Sequence, residues 1–200
     1  MFQEKLQKKL AIFEVGEKKP VQVSDKSFYL TEKGEGEAKL KINLSSPCIL
    51  VRDLEKRKLQ YFKNKKCADY VIFESNNESW RVHIFELKRT VDEKEWSDKI
   101  KLQFAGALQN VLALAGVLGI SLELDNLVLY TAYRNDKINN PTNPVSIRCQ
   151  MYDKEKAVGK GDCQDWNEER VSIELVESII AEHHKIPLDI ESGVGEYQLK

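Results

Sequence analysis

The stretch CADYVIFESNNESWRVHIFELK, residues 67–88, constrains the fold more than any other part of the chain, because two apolar segments flank a short polar one. Both apolar segments are rich in Val, Ile and Phe, which favour strands, and Asn76 and Asn77 suit a tight turn because Asn tolerates positive φ. The stretch therefore predicts a β-hairpin with strands at 67–74 and 79–88.

The same hairpin carries charged side chains that an apolar sheet does not need. Side chains alternate across a strand, so Glu86 and Lys88 share one face. With the two asparagines as the turn, Asp69 lies opposite Ile84 and diagonal to Glu86. Diagonal neighbours are ~7–8 Å apart, a separation that two acidic side chains can bridge through a divalent cation.

Two carboxylates beside a lysine suit metal-assisted hydrolysis of a phosphodiester. We predict Asp69 and Glu86 as metal ligands, the carbonyl of Leu87 as a third ligand, and Lys88 near the attacking water and the scissile phosphate. A Glu-x-Lys pattern taken alone is weak evidence, since such a pair is more often a surface ion pair at a strand end.

A long helix is predicted directly after the hairpin, over residues 92–119. Asp92 followed by Glu95 resembles a capping box, and Gly119 is a plausible C-terminal stop. Apolar residues recur at steps of three and four: Ile100, Phe104, Leu108, Val111, Ala115 and Leu118. A strand at 126–134 follows, so the helix is expected to cross over one face of a central sheet.

The remaining elements are predicted from shorter patterns. Residues 2–14 have helical spacing of apolar residues, 38–44 alternate like a strand, and 47–53 and 145–151 are further strand candidates. A last helix is predicted at 168–184, from an apolar stripe made of Val171, Leu175, Val176, Ile179 and Ile180. The tail at 191–200 is expected to be loosely ordered.

The predicted fold class is mixed α and β, α+β or α/β, with a central mixed sheet flanked by helices. The length of 200 residues and the hydrophobic content of 42% suit one domain. Within this domain, residues 1–200, we predict a core at about 55–150, an N-terminal helix and strands at 1–54, and a C-terminal loop and helix at 151–200.

Charge and cysteine content exclude several function classes. The 31 Lys and Arg nearly cancel the 32 Asp and Glu, so no global field draws the chain to nucleic acid or membrane. Residues 52–66 are an exception, with seven basic and two acidic side chains. The four cysteines have no repeated ligand spacing, which argues against a zinc site. The absence of a signal-peptide pattern predicts a cytoplasmic protein.

The hairpin residues also carry a family resemblance. The order of Asp69, Glu86 and Lys88, followed by a helix and a strand up to residue 134, resembles the Asp…(Asp/Glu)-x-Lys signature of the PD-(D/E)xK, or restriction-endonuclease-like, superfamily. The resemblance implies a restriction-endonuclease-like core and a Mg²⁺- or Mn²⁺-dependent nuclease that leaves 5′-phosphate ends. It also implies a further acid upstream, for which Glu4, Glu14 and Glu55 are candidates.

Relatives in this superfamily often carry a polar residue on the helix after the lysine strand, and Gln103 is the best match. Lys99, Gln103, Gly106 and Asn110 form one polar and small stripe that can either approach substrate phosphates or face solvent. The predicted nucleic-acid-binding residues are the basic side chains near the site: Lys56, Arg57, Lys63, Lys65, Lys66 and Lys99.

The sequence thus predicts a hydrolase, a metal-dependent nuclease or endonuclease. The resemblance implies DNA rather than RNA as the substrate. The alternative is a catalytically inactive module of the same fold that binds nucleic acid or protein. No membrane partner is expected, and a homodimer or a partner protein is left open. His83 is predicted to be packed rather than catalytic, and His183 and His184 to lie at the end of the last helix.

Overall fold

The computed structural model describes residues 21–32, 38–52, 66–76, 79–119, 121–140, 164–175 and 177–199. These ranges form two sheets and one long helix, an architecture of mixed α and β in which strands predominate. The strands are β1 Val21–Ser24, β2 Ser27–Glu32, β3 Ala38–Asn43, β4 Cys48–Arg52, β5 Tyr70–Asn76, β6 Ser79–Val91, β7 Leu122–Asp136, β8 Arg170–Glu174, β9 Ser178–Pro187 and β10 Val194–Gln198.

The larger sheet has seven strands in the order β1-β4-β5-β6-β7-β9-β8. Strands β6, β7 and β9 run parallel, and the other neighbours are antiparallel. The smaller sheet has the order β10-β3-β2, with β10 parallel to β3. The central mixed sheet expected from the sequence is therefore present.

One helical segment connects β6 to β7. It begins with Glu93–Glu95, continues through a π-helical turn at Trp96–Ile100, and ends with the α-helix Lys101–Leu118. We call these three pieces together the crossover helix. Asp92 accepts a hydrogen bond from the Glu95 backbone N–H at 2.8 Å, and Gly119 ends the helix with a φ of 62°. Both predicted helix ends are confirmed.

The crossover helix and the smaller sheet cover opposite faces of the larger sheet. The helix side contains the predicted apolar stripe, since Ile100, Phe104, Leu108 and Val111 are buried against side chains such as Val71, Ile84 and Leu129. The other side packs Ile72, Phe85 and Tyr130 against Phe28, Leu40 and Ile42 of the smaller sheet. Both faces of the central strands are therefore buried, as expected for parallel strands.

By length and composition, Glu93–Val117 could also cross a membrane. Core helices pass the same test, and this helix has its apolar stripe buried on the sheet.

The hairpin forms, but the predicted register is wrong by two residues. Phe73 pairs with Val82 rather than Trp80, and Asn76 pairs with Ser79, so Asn76 belongs to the strand and the predicted turn at Asn76-Asn77 is wrong. Each residue's partner moves by two positions, and the side chains therefore keep their faces. Continued beyond Tyr70–Phe85, the pairing sets Asp69 level with Glu86 instead of diagonal to it.

The predicted helix at 168–184 is wrong, because this part of the chain forms β8 and β9. Burial alternates along β8, with Val171 and Ile173 inside and their neighbours exposed. The apolar stripe fitted a helical period, but it omitted Ile173 and consisted mainly of β-branched residues, which favour strands. Hydrogen bonding of β9 to β7 decides between the two.

The tail is also more ordered than predicted, since Val194–Gln198 pairs with β3 as β10. Within its described residues, the C-terminal region 151–200 therefore contributes strands and one short 3-10 turn at Gln164–Trp166 instead of the predicted long helix. The predicted helix at 2–14 and the strand at 145–151 lie outside the described residues.

Candidate active site

Two hydrogen bonds join Asp69 to the Glu86–Leu87 segment of β6. The Asp69 backbone N–H donates to Glu86 Oε2 at 3.2 Å, and the Leu87 backbone N–H donates to Asp69 Oδ2 at 2.9 Å. Asp69 comes immediately before β5, and Glu86 lies within β6, where its residue is fully buried. The two carboxylates therefore meet at one point on the sheet, as the sequence predicted.

Lys88 completes the predicted group. Its Nζ lies 2.6 Å from Glu86 Oε1 and 3.6 Å from Oε1 of Glu95, the residue at the start of the crossover helix. The Glu95 carboxylate also pairs with Lys99 at 2.6 Å. Because Glu95 comes from the helix and Glu86 from the sheet, Lys88 is held between two elements.

The Glu86 carboxyl has a strongly perturbed acidity. Burial, followed by the negative charge of Asp69, raises the pKa of Glu86 to about 8, and Lys88 opposes this shift only in part. The buried Glu86 and the half-buried Asp69, with one lysine beside them, thus leave the site short of positive charge. Strong perturbation by both desolvation and a specific charge is typical of functional sites.

The same charges act on Lys88 in the opposite direction. Burial alone would lower the pKa of Lys88, but the carboxylates of Glu86, Asp69 and Glu95 together raise it above its ordinary value. The lysine is therefore a cation near neutral pH. It is suited to stabilising negative charge rather than to removing a proton from water.

Glu32, which the sequence analysis did not select, lies close enough to Asp69, Lys88 and Glu95 to sense their charges. Burial and the Asp69 carboxylate raise the pKa of Glu32 above its ordinary value. The Tyr70 hydroxyl explains this position, since it accepts from the Thr31 N–H at 3.0 Å and donates to the Thr31 carbonyl at 2.6 Å. Strand β2 is thereby fixed next to the start of β5.

Glu32 and Glu95 are the two acids near the site that sequence reasoning missed. Glu95 was noticed as a capping-box residue, but its contact with Lys88 depends on the angle between helix and sheet. Glu32 has no local signal, because its approach depends on a contact between the two sheets. The three acids proposed from the sequence, Glu4, Glu14 and Glu55, lie outside the described residues.

Gln103 lies beside the segment that leads into Asp69. Its backbone carbonyl accepts a hydrogen bond from the Ala68 N–H at 3.1 Å. Its side-chain oxygen is buried and has no hydrogen-bond partner in the described part of the chain. The helix therefore positions the Asp69 segment through Gln103, while the role of the Gln103 side chain toward substrate stays a prediction.

Only part of the predicted nucleic-acid-binding set can be located. Lys66 is exposed and donates to the Asp98 carbonyl at 2.6 Å, and Lys99 is exposed and paired with Glu95. Both lie at the start of the crossover helix, near the candidate site. The remaining predicted residues, Lys56, Arg57, Lys63 and Lys65, lie outside the described residues.

The histidines do not join the carboxylates. His83 is buried on the opposite face, where Nδ1 lies 3.0 Å from the Tyr130 hydroxyl and Nε2 lies 3.1 Å from Glu74. His183 and His184 lie in β9, so the prediction that they end a helix is wrong. His183 is buried among aromatic rings, and its Nε2 lies 3.0 Å from Thr131 Oγ1.

The donor chemistry at the site suits a hard divalent cation. Among the described residues, no group of three or more His, Cys, Asp or Glu side chains is arranged to hold a metal ion. Mg²⁺ is commonly bound through one or two carboxylates, with water and substrate phosphate completing its shell. Asp69 and Glu86 provide two such carboxylates. Burial and then the Asp69 charge raise the pKa of Glu86, and a bound cation would oppose this shift.

No family model, curated protein or solved structure matches the chain.

Proposed function

We propose that this protein is a metal-dependent nuclease that hydrolyses phosphodiester bonds, with DNA favoured over RNA and Mg²⁺ or Mn²⁺ as the cofactor. The observation that carries the proposal is the meeting of Asp69, Glu86 and Lys88. Each carboxylate accepts a hydrogen bond from the backbone of the neighbouring segment, Glu86 from the Asp69 N–H and Asp69 from the Leu87 N–H, and the lysine ammonium lies 2.6 Å from Glu86. The order of these three residues resembles the PD-(D/E)xK signature, and their proximity in the fold agrees with that resemblance.

Asp69 and Glu86 would hold the metal ion, with the Leu87 carbonyl as a further oxygen ligand. A bound Mg²⁺ would lower the pKa of a ligand water and neutralise charge on the phosphate. In the hydrolysis a water oxygen would bond to phosphorus and the P–O3′ bond would break, so that the 3′ oxygen would leave as a hydroxyl with a proton from the water and a 5′-phosphate end would remain.

Lys88 would act in this reaction as a fixed cation. Glu86 and Glu95 hold its ammonium at 2.6 and 3.6 Å, and its raised pKa keeps it protonated. A protonated lysine can donate hydrogen bonds to a phosphate oxygen or orient the attacking water, and it stabilises the charge that develops on the phosphate. Glu95 is then a positioning residue, because it acts through Lys88.

Glu32 would contribute a third negative charge close to the metal ligands. Its carboxyl lies within electrostatic range of Asp69, and its pKa is raised. A cation would favour its ionised form.

The test combines cleavage with metal binding. Purified protein is incubated with plasmid, linear DNA, single-stranded DNA and RNA in Mg²⁺, Mn²⁺ or EDTA, and Mn²⁺ binding is measured by calorimetry. We expect metal-dependent cleavage that Asp69→Asn and Glu86→Gln abolish together with the heat of Mn²⁺ binding. Asp125→Asn is the matched control, since Asp125 is an exposed acid on β7.

Lys88→Met separates binding from chemistry. We expect this variant to keep Mn²⁺ binding and to lose cleavage by a factor of at least about 100, because it removes charge stabilisation of the transition state. Cleavage by Lys88→Met at the rate of the unmodified protein would remove Lys88 from the mechanism.

A binding module that lacks catalysis is the second candidate. It is favoured by the fact that Asp69 and Glu86 are already engaged by backbone N–H groups and by Lys88. Nucleic-acid binding in EDTA, with neither cleavage nor heat of Mn²⁺ binding, would support this module and exclude the nuclease.

A further inference from the structure

Two tryptophans on the helix side of the larger sheet each have a lysine ammonium over the indole ring. The Trp96 and Trp166 rings meet edge to face with their centroids 5.0 Å apart, and both residues are fully buried. Lys101 Nζ lies 5.6 Å from the Trp96 centroid, and Lys185 Nζ lies 5.4 Å from the Trp166 centroid. These distances fit cation–π interactions.

The two lysines differ in whether a carboxylate balances their charge. Lys101 forms a salt bridge with Asp165. The described part of the chain places no carboxylate in an ion pair with Lys185. A half-buried ammonium held over a ring has lost part of its hydration without gaining a counter-charge, so it is suited to binding an anion.

Strand pairing aligns Lys185 with the candidate site. Glu86 pairs with Thr131 in the parallel β6–β7 ladder, and Thr131 pairs with Lys185 in the parallel β7–β9 ladder. The three residues form one row across neighbouring strands, with their side chains on the helix side. At ~4.8 Å per strand, the Cα of Lys185 lies roughly 10 Å from that of Glu86.

Tyr133 fills the next row between the two cations. It pairs with Lys88 across β6 and β7, and its ring lies 5.5 Å from that of Trp166. The surface from Lys88 through Tyr133 to Lys185 is thus continuous, and it lies at the carboxyl ends of parallel strands, where ligands commonly bind.

We infer that Lys185 binds a second backbone phosphate of the nucleic acid, one that flanks the scissile phosphate near Lys88. This inference rests on the proposed function. A phosphate is the anion favoured by the geometry, because the tryptophans are fully buried and cannot stack on a base. Lys185 therefore makes the site select a polynucleotide over a substrate with a single phosphate.

The test uses Lys185→Gln, with Lys101→Gln as the matched control that loses a comparable cation–π contact. Cleavage of an oligodeoxynucleotide in Mn²⁺ and its binding in EDTA, followed by fluorescence anisotropy, are measured at several salt concentrations. For Lys185→Gln we expect the KM for cleavage and the Kd for the oligonucleotide in EDTA each to be about tenfold higher. We also expect a salt slope of log K lower by about one, with kcat and Mn²⁺ affinity unchanged. Lys185→Arg should restore all of these values.

Three results would overturn the inference. The first is a Lys185→Gln variant with the KM, the Kd and the salt slope of the unmodified protein. The second is an equal loss in Lys101→Gln, which would assign the effect to packing on the tryptophans. The third is the absence of any oligonucleotide binding by the unmodified protein. Binding that depends on Lys185 without any cleavage would support the contact between Lys185 and a backbone phosphate and would refute the nuclease, so the two failures can be told apart.

Discussion

Replacing Asp69 by Asn should stabilise the protein in the absence of metal and should remove a ligand of the proposed metal site. Asn keeps an oxygen that can accept the hydrogen bond from the Leu87 N–H, but it removes one of two adjacent carboxylates. The pKa of Glu86 is raised from 4.5 to about 8, a shift that corresponds to roughly 5 kcal/mol. Burial is the larger cause and Lys88 loses an attractive partner, so we expect a gain of about 1–2 kcal/mol in the free energy of unfolding.

The sign of this effect fixes its pH dependence. A carboxyl whose pKa is raised on folding destabilises the native state progressively as pH rises from its unfolded pKa of 4.5 to its folded pKa of about 8. The gain in Asp69→Asn should therefore be near its maximum at pH 8 and should shrink to a few tenths of a kcal/mol near pH 5.

Urea unfolding in EDTA at both pH values measures the effect, with Asp125→Asn as the control for loss of an exposed carboxylate. The m value should stay constant, since the folded surface is unchanged. Adding Mn²⁺ should stabilise the unmodified protein and not Asp69→Asn, because only a state that binds the ligand gains from it. A variant less stable than the parent at pH 8, or an equal gain at both pH values, would refute this account of the site.

Two further predictions concern the two buried faces of the larger sheet. The hydrogen bond from His83 lowers the pKa of Glu74, so Glu74→Gln should reduce the free energy of unfolding by about 1–2 kcal/mol at pH 7. This loss should disappear as pH falls through the folded pKa of Glu74. Thermal melts of the variant and the parent at pH 7 and at acid pH measure it, and an equal difference in Tm at the two pH values would contradict the reasoning. Phe104→Ala should cost about 3–5 kcal/mol in urea unfolding, because it leaves a cavity under the crossover helix. The exposed Leu102→Ala is its control and should change stability by less than about 0.5 kcal/mol.

Local pattern was sufficient for the elements that bear the site. The helix at 92–119 was predictable because its caps and its apolar stripe agree, and Asp92 and Gly119 do end it as expected. The sharing of one face by Glu86 and Lys88 was predictable because strand side chains alternate, and this property survives a register shift of two.

Prediction from local pattern failed where the same residues fit both the helical and the strand period. Residues 168–184 carry apolar residues that suit a helix, yet they form β8 and β9, because backbone pairing with β7 and burial of Val171 and Ile173 stabilise the extended form. Single-chain propensity cannot include a partner strand more than 40 residues away.

The sequence by itself determined which groups are available for the proposed chemistry, Asp69, Glu86 and Lys88, and the strand parity that turns Glu86 and Lys88 to one side. The tertiary structure alone decided that Asp69 stands level with Glu86, that Glu32 and Glu95 lie near them, and that Lys185 shares a row with Glu86 across the sheet. The physical reason is that side-chain direction follows from bonds within one segment. Proximity between segments depends instead on turn register, on the Tyr70–Thr31 hydrogen bonds and on strand order, which arise only when the whole core packs.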